Sequence, residues 1–186
     1  MANSQKTLPA MRLGEIVLAT GSYDAMKGWY RMVLDIEPSL EHVVPATEVA
    51  SGPRMPTRMC FYRMHDEHPY QDVVALFEMP GVAAAAKNVS GLHHMQLRNA
   101  SISVLQERYR QLLAAVIVPY RAMDHGSSTS LYYRDPDQNA VELSASNFAT
   151  DEEWQACLSS ESYRSNPAGR VIELTTWQSQ SAPLRV

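Results

Sequence analysis

Histidine, glutamate and tyrosine set on one strand face can hold a cation, pass a proton or hydrogen-bond a ligand. In "GLHHMQLRN", residues 91–99, His94 falls among the alternating residues of a short strand. In "SLYYRDPDQNAVEL", residues 130–143, Tyr132 and Glu142 flank a turn built on Asp135-Pro136-Asp137. Proline fixes φ there, and aspartate bonds its own backbone. With the turn centred on Asp137, Tyr132 stands directly across from Glu142. Directly opposed residues project to one face with Cβ atoms about 5 Å apart. Alternation puts His94 and Gln96 on that face and turns Met95, Leu97, Val141 and Leu143 toward a helix layer. His93 is expected to pack against that layer as well.

The elements that position these residues occur twice. Glu15-Ile16-Val17-Leu18 in "LGEIVLATG" recurs 79 residues later as His94-Met95-Gln96-Leu97. Tyr30-Arg31 recurs as Tyr109-Arg110 and Leu34 as Leu113, with no gap. Further on, "CFYRM" at 60–64 is echoed by "LYYRD" at 131–135, and "VALFEM" at 74–79 by "VELSA" at 141–145. Met26, Trp29, Tyr30, Val33 and Leu34 have helical spacing. Each half therefore reads strand, helix, then several strands. The expected fold class is α+β: two tandem βαβββ modules whose curved mixed sheets form one concave cleft. Module 1 covers 13–80 and module 2 covers 91–148, together one domain, 13–148. The stretch "PGVAAAAKNVSG" at 80–91 links them, and residues 1–12 form an N-terminal arm. Residues 149–186 are read as a C-terminal helix and tail packing on the domain. Thr150 followed by Glu153 is a capping box, Trp154, Cys157 and Leu158 form an apolar stripe, and Asn166-Pro167 ends the helix. "RVIELTTWQSQSAPLRV" either adds a strand or lies as a tail.

Composition narrows the class. Of 186 residues, 45% are hydrophobic, enough for a sizeable core. The net charge is only -4 and no Lys/Arg run occurs, so nucleic acid is not an expected partner. No run of about 18 apolar residues is present to span a membrane. "MANSQKTLPAMRL" lacks the pattern of a secretory signal, which makes a cytoplasmic location the expectation. Cys60 and Cys157 have no framework spacing and read as two free buried thiols.

"LHHMQL", "DHGSSTSLYYRDPDQNAVEL" and the paired βαβββ layout resemble the vicinal oxygen chelate superfamily, which includes glyoxalase, bleomycin-resistance proteins and type I extradiol dioxygenases. The extradiol branch is the better match. A "DHG…S.Y..DPDGN..EL" run and a tail like "DEEW…SE.YR.NP.G" are typical of it. The resemblance covers roughly residues 13–169 and is more specific in the second half. It implies a metal held in the cleft by Glu15, His94 and Glu142, with Tyr132 hydrogen-bonding a substrate oxygen and His125 acting as acid/base. Imidazole and carboxylate suit a divalent ion, and three ligands leave positions open for a chelating substrate. Fe(II) is the first expectation, with Mn, Zn or Mg as alternatives. The implied substrate is a small aromatic of catechol type or an enolisable molecule. Open sheet edges make a homodimer the expected assembly.

The chain also departs from the pattern. Enzymes of this branch offer two histidines and one carboxylate, and here Glu15 replaces the first histidine. Two carboxylates make the ion harder and less Lewis-acidic. A second active-site histidine expected before "VALFE" is missing, with Asp72 nearest and His68 reachable only through a shifted hairpin. Gln138 replaces the glycine of the turn. Glu78 would complete a four-ligand set of glyoxalase type with the other three. Simpler roles exist too: Glu15 paired with Arg12 or Lys27, Tyr132 as core, His125 as a loop residue. Three functions stay open: a ring-cleaving dioxygenase, a non-oxidative isomerase or lyase using the metal as Lewis acid, and a metal-free binding or resistance protein.

Overall fold

Strand alternation and helical stripes decide the layout of both halves. The computed structural model describes residues 11–45, 55–65, 67–68, 72–83 and 90–177. Residues 1–10 of the expected arm, 84–89 of the expected linker, 46–54 of the first module and 178–186 of the tail lie outside the described residues. The chain divides into two compact units, 1–83 and 84–186.

In the first unit, β1 (Glu15–Thr20) leads into α1 (Tyr23–Leu34), followed by β2 (Leu40–Val43), β3 (Arg58–Arg63) and β4 (Val73–Glu78). The sheet order is β1-β4-β3-β2. β1 and β4 run parallel, because a helix and two strands separate them, and the remaining pairs are antiparallel. Tyr23, Met26, Trp29, Tyr30 and Val33 of α1 are buried. They lie on the face where Leu76, Val74, Cys60 and Tyr62 are also buried. Each such apolar side chain contributes about 1.5–3 kcal/mol on burial. The Tyr62 hydroxyl donates to the Lys27 carbonyl at 2.7 Å, tying β3 to the helix. α1 ends where Asp35 enters the left-handed region, φ 59°, and donates its N–H to the Arg31 carbonyl.

In the second unit, β5 (Met95–Arg98) and α2 (Ile102–Ala114) precede β6 (Arg121–Asp124), β7 (Ser128–Arg134) and β8 (Ala140–Ser146). The order is β5-β8-β7-β6, with β5 parallel to β8. α2 starts at Ser101, whose hydroxyl accepts from the Val104 N–H, a cap worth about 1 kcal/mol. Its buried Ile102, Leu105, Tyr109 and Leu112 cover the face carrying Leu131, Tyr133, Val141 and Leu143. The C-terminal segment then forms α3 (Asp151–Ser159), α4 (Glu161–Ser165), β9 (Arg170–Val171) and α5 (Leu174–Trp177). The capping box of Thr150 and Glu153 is present. The single helix expected up to Asn166 is instead broken at Ser160, which is extended at φ -72°, ψ 152° and caps α4 through its hydroxyl. The undecided tail adds a strand: β9 pairs with β6. Gly169 permits that approach, since a Cβ there would stand 2.1 Å from the Asp124 carbonyl oxygen. Of the two thiols, Cys60 is buried and Cys157 only half-buried. No helix among the described residues is long and apolar enough to cross a membrane.

The fold is thus α+β, with the same strand–helix–three-strand order in each unit. The repeat reaches the level of single partners. In the first unit Val17, Ala75, Phe61 and Leu40 form one row across the four strands. In the second, the corresponding row is Gln96, Glu142, Tyr132 and Arg121.

The β7–β8 turn carries one strained residue, Gln138 at φ 71°. A side chain in that region costs on the order of 1 kcal/mol relative to glycine. Gln138→Gly is therefore expected to raise the unfolding free energy by up to about 1 kcal/mol in urea titration. An unchanged or lower midpoint would show that the turn holds no such strain.

Candidate active site

The β7–β8 turn sets the register on which the site depends. Asp135 is buried and accepts from the Asn139 backbone N–H and from its side-chain amide, each at 2.8 Å. The Gln138 N–H donates to the Asp135 carbonyl. The hairpin so closed pairs Tyr132 with Glu142, the partnership expected from the sequence. Next to it, parallel pairing of β5 with β8 sets Gln96 beside Glu142. Tyr133, one residue along, lies toward Tyr109 of α2, so Tyr132 faces the opposite side of the sheet.

Glu142 is only 3% exposed, and a buried carboxylate needs partners for both oxygens. Oε1 accepts from Gln96 Nε2 at 2.9 Å and from Ser130 Oγ at 2.6 Å. Oε2 faces His94 Nε2 at 2.9 Å. His94 sits one residue before β5 and keeps a third of its surface open. Its other ring nitrogen, Nδ1, is 2.7 Å from Nδ1 of His93. His93 is exposed and does not pack against the helix layer as expected. The chain has not yet entered the strand there, so strict alternation does not govern it.

Tyr132 joins this pair to a second histidine. Its hydroxyl lies 3.0 Å from His125 Nε2, in the β6–β7 turn closed by the His125 N–H on the Ser128 carbonyl. The Tyr132 ring is 6.0 Å from the His94 ring and 6.4 Å from the His125 ring, edge-on to both. Arg121, its partner on β6, holds its guanidinium 5.7 Å from the ring centre. Burial, followed by the charge of Glu142, pushes the Tyr132 phenol up to about 12. It therefore carries its proton at ordinary pH and can donate it in a hydrogen bond.

Four of the five residues named from the sequence thus meet in the second unit: His94, Tyr132, His125 and Glu142. Glu15 lies in the first unit, exposed at the start of β1. Its suggested partners are engaged elsewhere: Lys27 binds Glu41 at 2.6 Å, and Arg12 comes within 3.8 Å of Glu67. Glu78 occupies the other face of its sheet. Its register partner on β1 is Thr20, on the buried side, whereas Glu15 pairs with Val73. Arg58 clasps Glu78 at 2.7 Å and Asp24 at 2.9 Å, and Thr57 bonds Glu78 as well. That clasp brings the Glu78 carboxyl down to about 2. Asp72 precedes β4 and stands 3.8 Å from His65. Ser130 was not singled out, although its two-residue spacing from Tyr132 was the signal. His93 and Arg121 carry no comparable signal.

The donor set can be tested against a divalent ion. Two ligand atoms at right angles, each about 2.1 Å from one ion, stand about 3 Å apart. His94 Nε2 and Glu142 Oε2 are 2.9 Å apart, with the second carboxylate oxygen already saturated. Imidazole plus carboxylate suits Fe(II), Mn, Zn or a harder ion. Among the described residues no third His, Cys, Asp or Glu stands with them in a metal-holding group.

Comparison with known proteins gives consistent matches. The model of the Glyoxalase/Bleomycin resistance protein/Dioxygenase superfamily matches residues 12–143. Biphenyl-2,3-diol 1,2-dioxygenase 2 of Rhodococcus globerulus is 34% identical over 160 residues, 85% of this chain and 75% of the relative. Biphenyl-2,3-diol 1,2-dioxygenase 3 of the same organism is 36% identical with the same coverage. Among solved structures, a glyoxalase/dioxygenase from Nostoc punctiforme shares the fold at a TM-score of 0.54 and 18% identity, covering 77% of this chain and 99% of that one.

The electrostatics of Tyr132 can be checked directly. Replacing Glu142 by Gln removes the charge but not the burial, so the phenol's midpoint should fall from about 12 while staying above 10. Because folding raises this group, its contribution to stability is fully present below pH 10 and lost as pH rises through 12. Tyrosine ring-carbon NMR against pH, in wild type and variant, reads the shift. A midpoint unmoved by the substitution would show that Glu142 does not act on Tyr132.

Proposed function

Because the chain belongs to the Glyoxalase/Bleomycin resistance protein/Dioxygenase superfamily, we propose that it is a metal-dependent, extradiol-type ring-cleaving dioxygenase for a small catechol-type aromatic. The observation that carries this reading is the pairing of His94 with Glu142 on the sheet face that also presents Tyr132 and His125. The identity of the two Rhodococcus relatives supports the reaction type. In this reading His94 Nε2 and Glu142 Oε2 hold the ion, Fe(II) first, with Mn, Zn and Mg as alternatives, and Glu15 is the third ligand that the sequence resemblance implies. When bound, such an ion supplies Lewis acidity toward the adjacent oxygens of the substrate and, as Fe(II), reducing power toward dioxygen.

The chain's own residues supply orientation and proton handling. Gln96 and Ser130 fix one carboxylate oxygen of Glu142, so the other keeps a single aim. The Tyr132 hydroxyl retains its proton and donates to one substrate oxygen. His125 Nε2, within 3.0 Å of that hydroxyl, accepts the proton that a catechol hydroxyl gives up and returns it to the product. Glu15 in place of histidine adds negative charge and lowers the acidity of the bound ion. The non-oxidative, four-ligand reading is weaker. Glu78, its fourth ligand, is clasped by Arg58 on the opposite face from Glu15.

The test is oxygen uptake by protein reconstituted anaerobically with Fe(II) and offered catechol, 3-methylcatechol and biphenyl-2,3-diol. One oxygen molecule consumed per ring opened is expected. Tyr132→Phe and His125→Asn should each lower kcat about a hundredfold or more. Iron-loaded protein that consumes no oxygen with any of the three would overturn the assignment. Glu15→Gln with unchanged metal content would remove that residue from the ligand set.

A further inference from the structure

We propose that His93 is a positioning residue that lets the His94 ring keep one orientation both before and after an ion binds. The inference rests on the reading of His94 as a ligand, and it concerns a side chain that the sequence assigned to packing. The two rings meet through Nδ1 and Nδ1 at 2.7 Å, their centres 4.9 Å apart and their planes 75° to one another. Two ring nitrogens at that distance share a single proton: one donates and the other accepts.

Which one donates follows from the far side of the His94 ring. Glu142 Oε2 stands 2.9 Å from Nε2, and its partner oxygen already accepts two hydrogen bonds. A carboxylate offers only acceptors, so without an ion Nε2 of His94 carries the hydrogen. Nδ1 of His94 then accepts, and His93 donates. With an ion against Nε2 that lone pair is needed, and the His94 hydrogen must sit on Nδ1. His93, an exposed residue, now accepts, its own hydrogen moved to Nε2. The exchange moves hydrogens between ring nitrogens without a net change in their number.

A backbone carbonyl or carboxylate, the usual partner of a ligating histidine, serves only the second arrangement. An imidazole serves both. His93 therefore holds the ring in aim when the ion is absent, which lowers the ordering needed to bind one. Removing such a partner typically costs 10–100-fold in metal affinity.

The probe is Co(II) alone, its dissociation constant measured by chelator competition. His93→Leu removes both donor and acceptor. His93→Asn restores them, since its side-chain amide offers an N–H and an oxygen near the place of Nδ1. The expected result is a 10–100-fold loss for His93→Leu, substantial recovery for His93→Asn, and equal thermal midpoints for the metal-free proteins. Independently of any variant, imidazole nitrogen NMR of the wild type should show His93 and His94 exchanging tautomers on addition of Zn(II). Wild-type affinity in His93→Leu, an equal loss in both variants, or His93 nitrogen shifts unmoved by Zn(II) would each overturn the role of His93. Wild type that binds neither ion would instead overturn the ligand reading itself, and this inference with it.

Discussion

The second unit depends on a carboxylate removed from water. Glu142 is the one acid in the central row of its sheet, and its burial is tolerable only because every oxygen lone pair that matters has a partner. Those partners come from three places: Gln96 on one neighbouring strand, Ser130 on the other, and His94 just ahead of β5. Each is delivered by sheet register. The register is delivered in turn by the Asp135 turn, whose own buried carboxylate is consumed by backbone and side-chain donors. Two buried acids of different purpose thus stand in series, one closing the hairpin and one facing the imidazole.

Much of this arrangement was legible in the residues. The repeat of Glu15-Ile16-Val17-Leu18 as His94-Met95-Gln96-Leu97 carried both the βαβββ order and the facing of the two first strands. The Tyr132–Glu142 partnership followed from turn chemistry alone, because a proline-fixed turn leaves little freedom of register. The broken helix at Ser160 was not legible. Its stripe of Trp154, Cys157 and Leu158 lies wholly before the break, and a serine that caps the following helix looks the same in sequence as one that continues it. His93 failed for a different reason. Alternation was applied one residue too far, to a position where the backbone is not yet extended in the sheet. Glu78 shows the opposite limit: the sequence grouped it with Glu15, and both the β1–β4 register that sets it on the other face and the Arg58 clasp are tertiary facts no spacing announces.

The same clasp shows how differently a carboxylate behaves in the two units. Glu78 meets a guanidinium that also spans Asp24 and lies 4.3 Å over the Tyr23 ring. Its charge is fully committed to holding α1 against β3 and β4. Glu142 meets amide, hydroxyl and imidazole, which fix its orientation. A carboxylate answered by arginine is structural cement; one answered by these three donors is aimed rather than bridged.

The equivalent rows of the two sheets differ in chemistry. Where one copy has Gln96, Glu142, Tyr132 and Arg121, the other has Val17, Ala75, Phe61 and Leu40 in the same places. A strand–helix–three-strand scaffold that occurs twice in the chain carries this polar row once. Hydrogen bonding and charge thus enter the central row of one sheet, while the matching row of the other offers only apolar side chains.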